Sequence, residues 1–187
     1  MRRFLSILLA LGASAAQADT ASYRFVWQGG GGYSVQGGLA INADQTGAGL
    51  VTEADVICFE IQGIQAAEPV GRWALGQLLP DTTWRLHFSP SVGAFFVEGQ
   101  TIAMPQAWNM NGEGTDCGAG GFGLNIGNFA QDICIDGTLV TDSQVSPFQP
   151  FPAQRDDDYV FGPDACLGPM MLSAVPSTDT GETASEP

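Results

Sequence analysis

Trp108 stands among polar neighbours, with Asn109, Asn111, Glu113 and Asp116 close behind it in the chain. An indole face stacks on the apolar face of a sugar ring, while amides and carboxylates beside it hydrogen-bond the sugar hydroxyls. Trp108, Asn109, Asn111 and Glu113 are therefore the candidate ligand-binding residues, with a polysaccharide as the partner. The competing reading places Trp108 in the core and ranks slightly ahead. Most of the tryptophans and tyrosines read as core, Trp73 and Trp84 because they lie in cleanly alternating segments.

Catalysis has little to work with. His87 is the only histidine, and its neighbours Arg85 and Ser89 put it on the outer face of a strand, where a histidine is usually a surface residue. No G-x-S-x-G elbow and no H-E-x-x-H pair occurs. Glycoside hydrolysis needs only two carboxylates about 5 to 9.5 Å apart, and with 20 Asp and Glu residues that alternative stays open. No catalytic residue is assigned, and the chain is expected not to be an enzyme.

Metal chemistry is weighed at two acidic places. Asp156, Asp157 and Asp158 with Asp164 form a cluster that is a weak calcium candidate, since such runs are usually solvated. Asp44, Thr46, Gly49, Val51, Thr52 and Asp55 fall in a calcium-loop register, but Ala48 stands where a liganding oxygen is needed and Asp55 where a bidentate glutamate is needed. A β-turn leading into a strand is the preferred reading there. No metal site is assigned, and calcium is the one cofactor left open. The four glycines at 29–32 are followed by neither a lysine nor a helical segment, so they are a loop and not a phosphate cradle.

The four cysteines include no C-x-x-C pair, which makes disulfides a better reading than a thiolate metal site. Sequence alone leaves three pairings. The favoured one joins Cys117 to Cys134 across a glycine-rich segment, a closure worth about 3 kcal/mol in the chain-entropy model. Cys58 and Cys166 would then tie the late chain to an early strand. Disulfides imply an oxidising compartment. Export is also what the start of the chain suggests: Arg2 and Arg3, an apolar run, then Ala16-Gln17-Ala18, read as a signal peptide over residues 1–18. A twin-arginine signal is the alternative, weakened because Phe4-Leu5 follows the arginines without a spacer residue. A secreted or periplasmic protein is expected.

The formal net charge is −14, and Arg24, Arg72, Arg85 and Arg155 are the only cations after residue 18. An acidic chain without lysine is repelled by phosphate backbones and anionic lipid, so neither nucleic acid nor membrane is an expected partner.

A framework of strands carries these candidates. Tyr23, Phe25 and Trp27 alternate with Arg24 and Val26, Val35, Gly37, Leu39 and Ile41 alternate with polar or small residues, and Ile57, Phe59 and Ile61 form one face of a third strand whose other face carries Val56, Cys58, Glu60 and Gln62. Trp73 with Leu75, and Trp84, Leu86 and Phe88, continue the series; residues 95–97 and 101–104 are shorter candidates. Phe122, Leu124 and Ile126, then Ile133 and Ile135, form a pair around the second glycine-rich stretch. Turn residues recur at the 8 to 12 residue spacing of an all-β sandwich or barrel. The expectation is one antiparallel β-sandwich, with a flattened β-barrel as the alternative, disulfide-stabilised, in a single domain at 19–173 whose sheets come from residues 21–140. Helix is confined to single turns such as residues 53–56. The proline-punctuated stretch 146–152 should run extended over the surface, and the acidic tail 174–187 should be disordered.

Residues 46–61, T-G-A-G-L-V-T-E-A-D-V-I-C-F-E-I, resemble the turn and following strand of small PEP-CTERM-type exported bacterial proteins. Gln106-Ala107-Trp108-Asn109, Gly121-Phe122-Gly123, Gly127-Asn128 and Gln131 are similar to the later half of that domain, and residues 33–37 extend the likeness over most of 21–140. The resemblance implies an extracellular β domain in a setting of exopolysaccharide production, with no catalytic residues to carry over. After Ala174-Val175-Pro176 the chain departs from that pattern, with no Pro-Glu-Pro, apolar segment or basic end. A freely secreted or periplasmic relative is the expectation.

Overall fold

The computed structural model of the chain describes residues 19–97 and 106–167. The signal-peptide reading at 1–18, the strand candidate at 101–104 and the acidic tail at 174–187 lie outside the described residues. Among the described residues thirteen strands occur in chain order. They are β1 Thr20–Gln28, β2 Tyr33–Asn42, β3 Val51–Thr52, β4 Val56–Gln65, β5 Glu68–Ala74, β6 Thr83–Arg85, β7 His87–Ser89, β8 Ala94–Phe95, β9 Gln106–Met110, β10 Phe122–Ile126, β11 Gln131–Ile135, β12 Thr138–Leu139 and β13 Phe151–Arg155. An eight-stranded sheet runs β3-β7-β8-β13-β1-β2-β4-β5, and a five-stranded sheet runs β12-β11-β10-β9-β6. The named strand pairs are antiparallel. The fold is all-β, as the alternation of apolar residues predicts, and the sheets curl like half of a barrel. Among the described residues no helix is long and apolar enough to cross a membrane.

β1 shows how sequence makes the large sheet. Ala21, Tyr23, Phe25 and Trp27 are buried, while Arg24, Val26 and Gln28 point to solvent. Its turn into β2 places Gly31 and Gly32 at φ 57° and 76°, a region that costs L side chains but not glycine. The inner face then packs an aromatic cluster in which Phe25, Phe59, Phe95 and Phe151 surround Trp108 of the small sheet. Two fully buried glutamines tie the layers together. Gln131 accepts the Trp27 indole N–H at 2.8 Å, and Gln106 accepts the Trp108 indole N–H at 3.0 Å while donating to the His87 carbonyl at 2.7 Å.

Three expectations about elements are corrected. Trp84, Leu86 and Phe88 do not share one strand: the chain leaves the small sheet after β6 and enters the large one at β7, and the Leu86 N–H is taken by Glu53 Oε2 at 3.0 Å. Leu75 begins a 3-10 turn instead of continuing β5. The sheets also do not end at residue 140. Residues 151–155 form β13 between β8 and β1, with Phe151 and Ala153 facing the core, so the proline-punctuated segment leads inward. Pro152 is tolerated because it projects outward and is paired only with the short β8.

The expected single turn near residue 53 is a 3-10 helix over Glu53–Asp55. Asp55 is its anchor: Oδ2 accepts the Thr52 N–H at 2.9 Å and the Thr52 hydroxyl at 3.1 Å, and Oδ1 accepts Gln45 Nε2 at 2.8 Å. The Thr52 N–H, and then the Gln45 and Thr52 side chains, hold this carboxyl below the usual carboxylate range. A depressed pKa contributes stability that is complete above the ordinary carboxylate pKa and is lost as pH falls through the folded value. Asp55→Ala is expected to cost about 1 kcal/mol at neutral pH, read by urea unfolding. The difference from wild type should shrink in acid, and a difference that stays constant with pH would refute the assignment.

Candidate functional site

The stretch proposed for ligand binding is spent on structure. Trp108 is fully buried and offers no face to solvent. Asn109 is 5% exposed, sits at φ 55° where β9 bulges against β6, and donates Nδ2 to the Phe122 carbonyl at 2.8 Å. Asn111 Oδ1 accepts the N–H groups of Glu113 and Thr115 at 3.2 and 2.9 Å, and Asp116 Oδ1 accepts that of Gly118 at 2.7 Å. Glu113 is exposed, with its backbone in that turn. The cause is the loop that follows β9. It folds back over the outer face of the small sheet and is fastened there by the Cys117–Cys134 disulfide, so both faces of β9 are covered. Trp108 is thus a core residue, the reading that ranked slightly ahead on sequence, and it is removed from the ligand-binding candidates.

The acidic cluster is dispersed into separate ion pairs. Asp156 meets Arg24 at 3.3 Å, Asp157 meets Arg155 at 2.9 Å and also accepts the Ser22 N–H, and Asp164 meets Arg72 in a two-pronged contact. Asp158 is exposed. The Arg155 and Arg72 guanidinium groups hold Asp157 and Asp164 below the usual carboxylate range. Among the described residues no group of three or more His, Cys, Asp or Glu side chains is placed to hold a metal. His87 lies on β7, part-buried, with its backbone exchanging hydrogen bonds with the Gln106 amide.

A different site appears on the outer face of the large sheet. There the outward residues of five consecutive strands, β13, β1, β2, β4 and β5, floor a groove of about 550 Å³. Register decides who meets whom. Arg24 lies opposite Gln154, Val26 opposite Gln36, Gln36 opposite Gln62 and Gln62 opposite Arg72, which produces a ladder of amides and guanidinium groups across the sheet. Gln36 Nε2 donates to Gln62 Oε1 at 2.9 Å, and Arg24 Nη2 donates to Gln154 Oε1 at 2.9 Å. An amide has two donors and an acceptor, so one bond between neighbours leaves each with capacity toward solvent or ligand.

One wall of the groove is built by the segment after β13. Its Tyr159 ring lies over Gly38, where any Cβ would collide with it, while on the opposite face the missing Cβ of Gly37 makes room for Phe25. The adjacent glycines of β2 thus admit one aromatic ring from each side. The Tyr159 hydroxyl donates to Glu60 Oε1 at 3.2 Å, and Glu60 also receives Arg72 Nη2 and the Gly162 N–H, each at 3.3 Å. Burial first and the Glu60 carboxylate second push the Tyr159 hydroxyl far above its ordinary value, so it stays a proton donor. Asp164 and then Glu60 raise the Arg72 guanidinium further, and it stays charged. The Cys58–Cys166 disulfide anchors the end of this segment to β4.

Glu60, which lines the groove, is thus surrounded by donors, and Asp164 is held on Arg72 at the groove's side. Val26, Pro152 and the Tyr159 ring supply apolar surface between the polar groups. Residue types alone gave little sign of this groove: Gln36, Gln62 and Gln154 look like ordinary outward strand positions, and only the alternation of β1, β2 and β4 marks their common face. Comparison of the chain with protein-family models, with curated proteins and with solved structures yields no match, so the reading of this site rests on its geometry.

Proposed function

We propose that this protein is an exported, non-catalytic binding domain whose sheet groove takes a neutral or weakly charged polysaccharide. The observation that carries the reading is the ladder of Gln154, Arg24, Gln36, Gln62 and Arg72 across five strands, flanked by Val26, Pro152 and Tyr159. Side-chain amides and guanidinium groups pair with vicinal hydroxyls, and the apolar strips suit the C–H faces of sugar rings. The groove's cations are offset by Asp156, Glu60 and Asp164, which leaves no excess of positive charge to select a polyanion. Two disulfides fit an oxidising compartment outside the cytoplasm. The resemblance of residues 46–61 to exported proteins of exopolysaccharide-producing bacteria agrees with that setting.

A glycan array that includes the producer's own extracellular polysaccharide tests the reading directly. Gln62→Ala should then weaken binding by about 1 kcal/mol, the scale of one hydrogen bond between polar groups. Because Gln62 lies on the outer face, thermal unfolding should be nearly unchanged. An array without a retained glycan, or a Gln62→Ala protein that binds as wild type, would sink the proposal.

A further inference from the structure

β5 is the last strand of the large sheet, and beyond it lies a second hollow of about 440 Å³, walled by the segment between β5 and β6 and by the loop after β9. Arg72 lines both this hollow and the sheet groove. We infer that the two are subsites of one cleft crossing β5, so that the site takes the interior of a polysaccharide chain and not its end. This rests on the saccharide reading of the groove.

The chemistry of the hollow repeats that of the groove, as adjacent units of one polymer require. Gln77, Asp81, Thr82 and Asn111 offer polar groups, and the exposed Leu79 side chain offers apolar surface. Trp73 adds an independent sign of an absent partner. It is 2% exposed, and its buried indole N–H has no hydrogen-bond partner among the described residues. A buried unpaired donor costs about 1 to 3 kcal/mol unless something accepts from it; a sugar oxygen in the hollow that Trp73 lines would do so. The facing wall is preformed, because Cys117 is disulfide-bonded to Cys134, and Asp136 and Asp116 accept the N–H groups of Gly120 and Gly118. A preformed wall spares a ligand the cost of ordering the loop.

The two subsites differ in one spectroscopic respect: Trp73 lines the hollow, and no tryptophan lines the sheet groove. The probe is a size-fractionated acid hydrolysate of the producer's neutral extracellular polysaccharide, from disaccharide to decasaccharide, titrated by calorimetry and by tryptophan emission. Decasaccharides should bind about tenfold tighter than disaccharides, and only the longer fractions should shift the emission. Ala119→Phe, on the exposed loop that lines the hollow, should abolish both effects and leave disaccharide binding unchanged. Trp73→Phe should remove the emission shift. Equal affinity for all fractions, or a length advantage that survives Ala119→Phe, overturns the second subsite while the groove reading stands. Failure of every fraction to bind overturns both.

Discussion

Trp108→Ala is expected to cost about 3 to 5 kcal/mol of folding stability, the range for truncating a large aromatic core residue. The ring is fully buried, with ring centroids of Phe59, Phe95, Phe25 and Phe151 at 4.8, 5.1, 5.5 and 5.6 Å. These partners come from four strands of the large sheet, whereas Trp108 belongs to the small one. Truncation therefore removes the contact that seats one layer on the other, and neighbours held by separate strands cannot all collapse into the space. The Gln106 carbonyl would lose the indole N–H but keep the His87 N–H at 3.1 Å, so packing carries most of the loss. Urea unfolding measures the effect. Trp108→Phe should cost markedly less because it keeps a ring in the cluster. Polysaccharide binding by Trp108→Ala, measured where the variant is still folded, should match wild type. A loss below about 1 kcal/mol, ordinary for a surface position, together with lost binding would return Trp108 to the role of a stacking residue.

Removing the long-range disulfide should have an effect of the same order. Cys58 and Cys166 are 108 residues apart, and the chain-entropy model assigns about 4.7 kcal/mol to closing a loop of about that length. Cys117 and Cys134 are 17 residues apart, where the same model gives about 3 kcal/mol. The double variant Cys58→Ala/Cys166→Ala should thus be the less stable of the two disulfide-free proteins. It should also lose groove affinity, because the segment fastened by Cys166 carries Tyr159 and Asp164. That segment keeps backbone bonds from Phe59 N–H to Ala165 and from Leu167 N–H to Ile57. Affinity should accordingly fall in part and not vanish. Chemical denaturation of both double variants decides the ranking, and a greater loss on removing Cys117–Cys134 would contradict it.

Much of the architecture was legible because strand periodicity is a local property. Side chains alternate between faces whatever the neighbouring strand is, so Tyr23, Phe25 and Trp27, or Phe122, Leu124 and Ile126, announce a buried face from within their own segment. The favoured cysteine pairing was legible too, since two cysteines flanking a hairpin are brought together by the turn itself. β13 was hidden by Pro152, and by Pro150 just before it, since proline argues against a strand except where the partner is as short as β8. Trp84 to Phe88 kept a two-residue period straight through a change of sheet, and periodicity cannot report which sheet a strand joins.

The all-β class and the inward side of β1, β2 and β10 follow from the sequence, whereas in β4 a bulge opposite Ala40 and Ile41 turns Val56 inward and leaves Ile57, expected beside Phe59 and Ile61, only half-buried. Which polar residues share a site depends on long-range strand pairing. Gln154 and Arg24 are 130 residues apart, and they become neighbours because β13 pairs with β1. Trp108 and Asn109 have the composition of a binding site, but burial depends on what covers a face, and here a disulfide-fastened loop on one side and the large sheet on the other exclude water from β9. Composition records which groups a chain possesses, whereas strand order and register, set by long-range pairing and by closure of the core, determine which of them meet and which remain in contact with solvent.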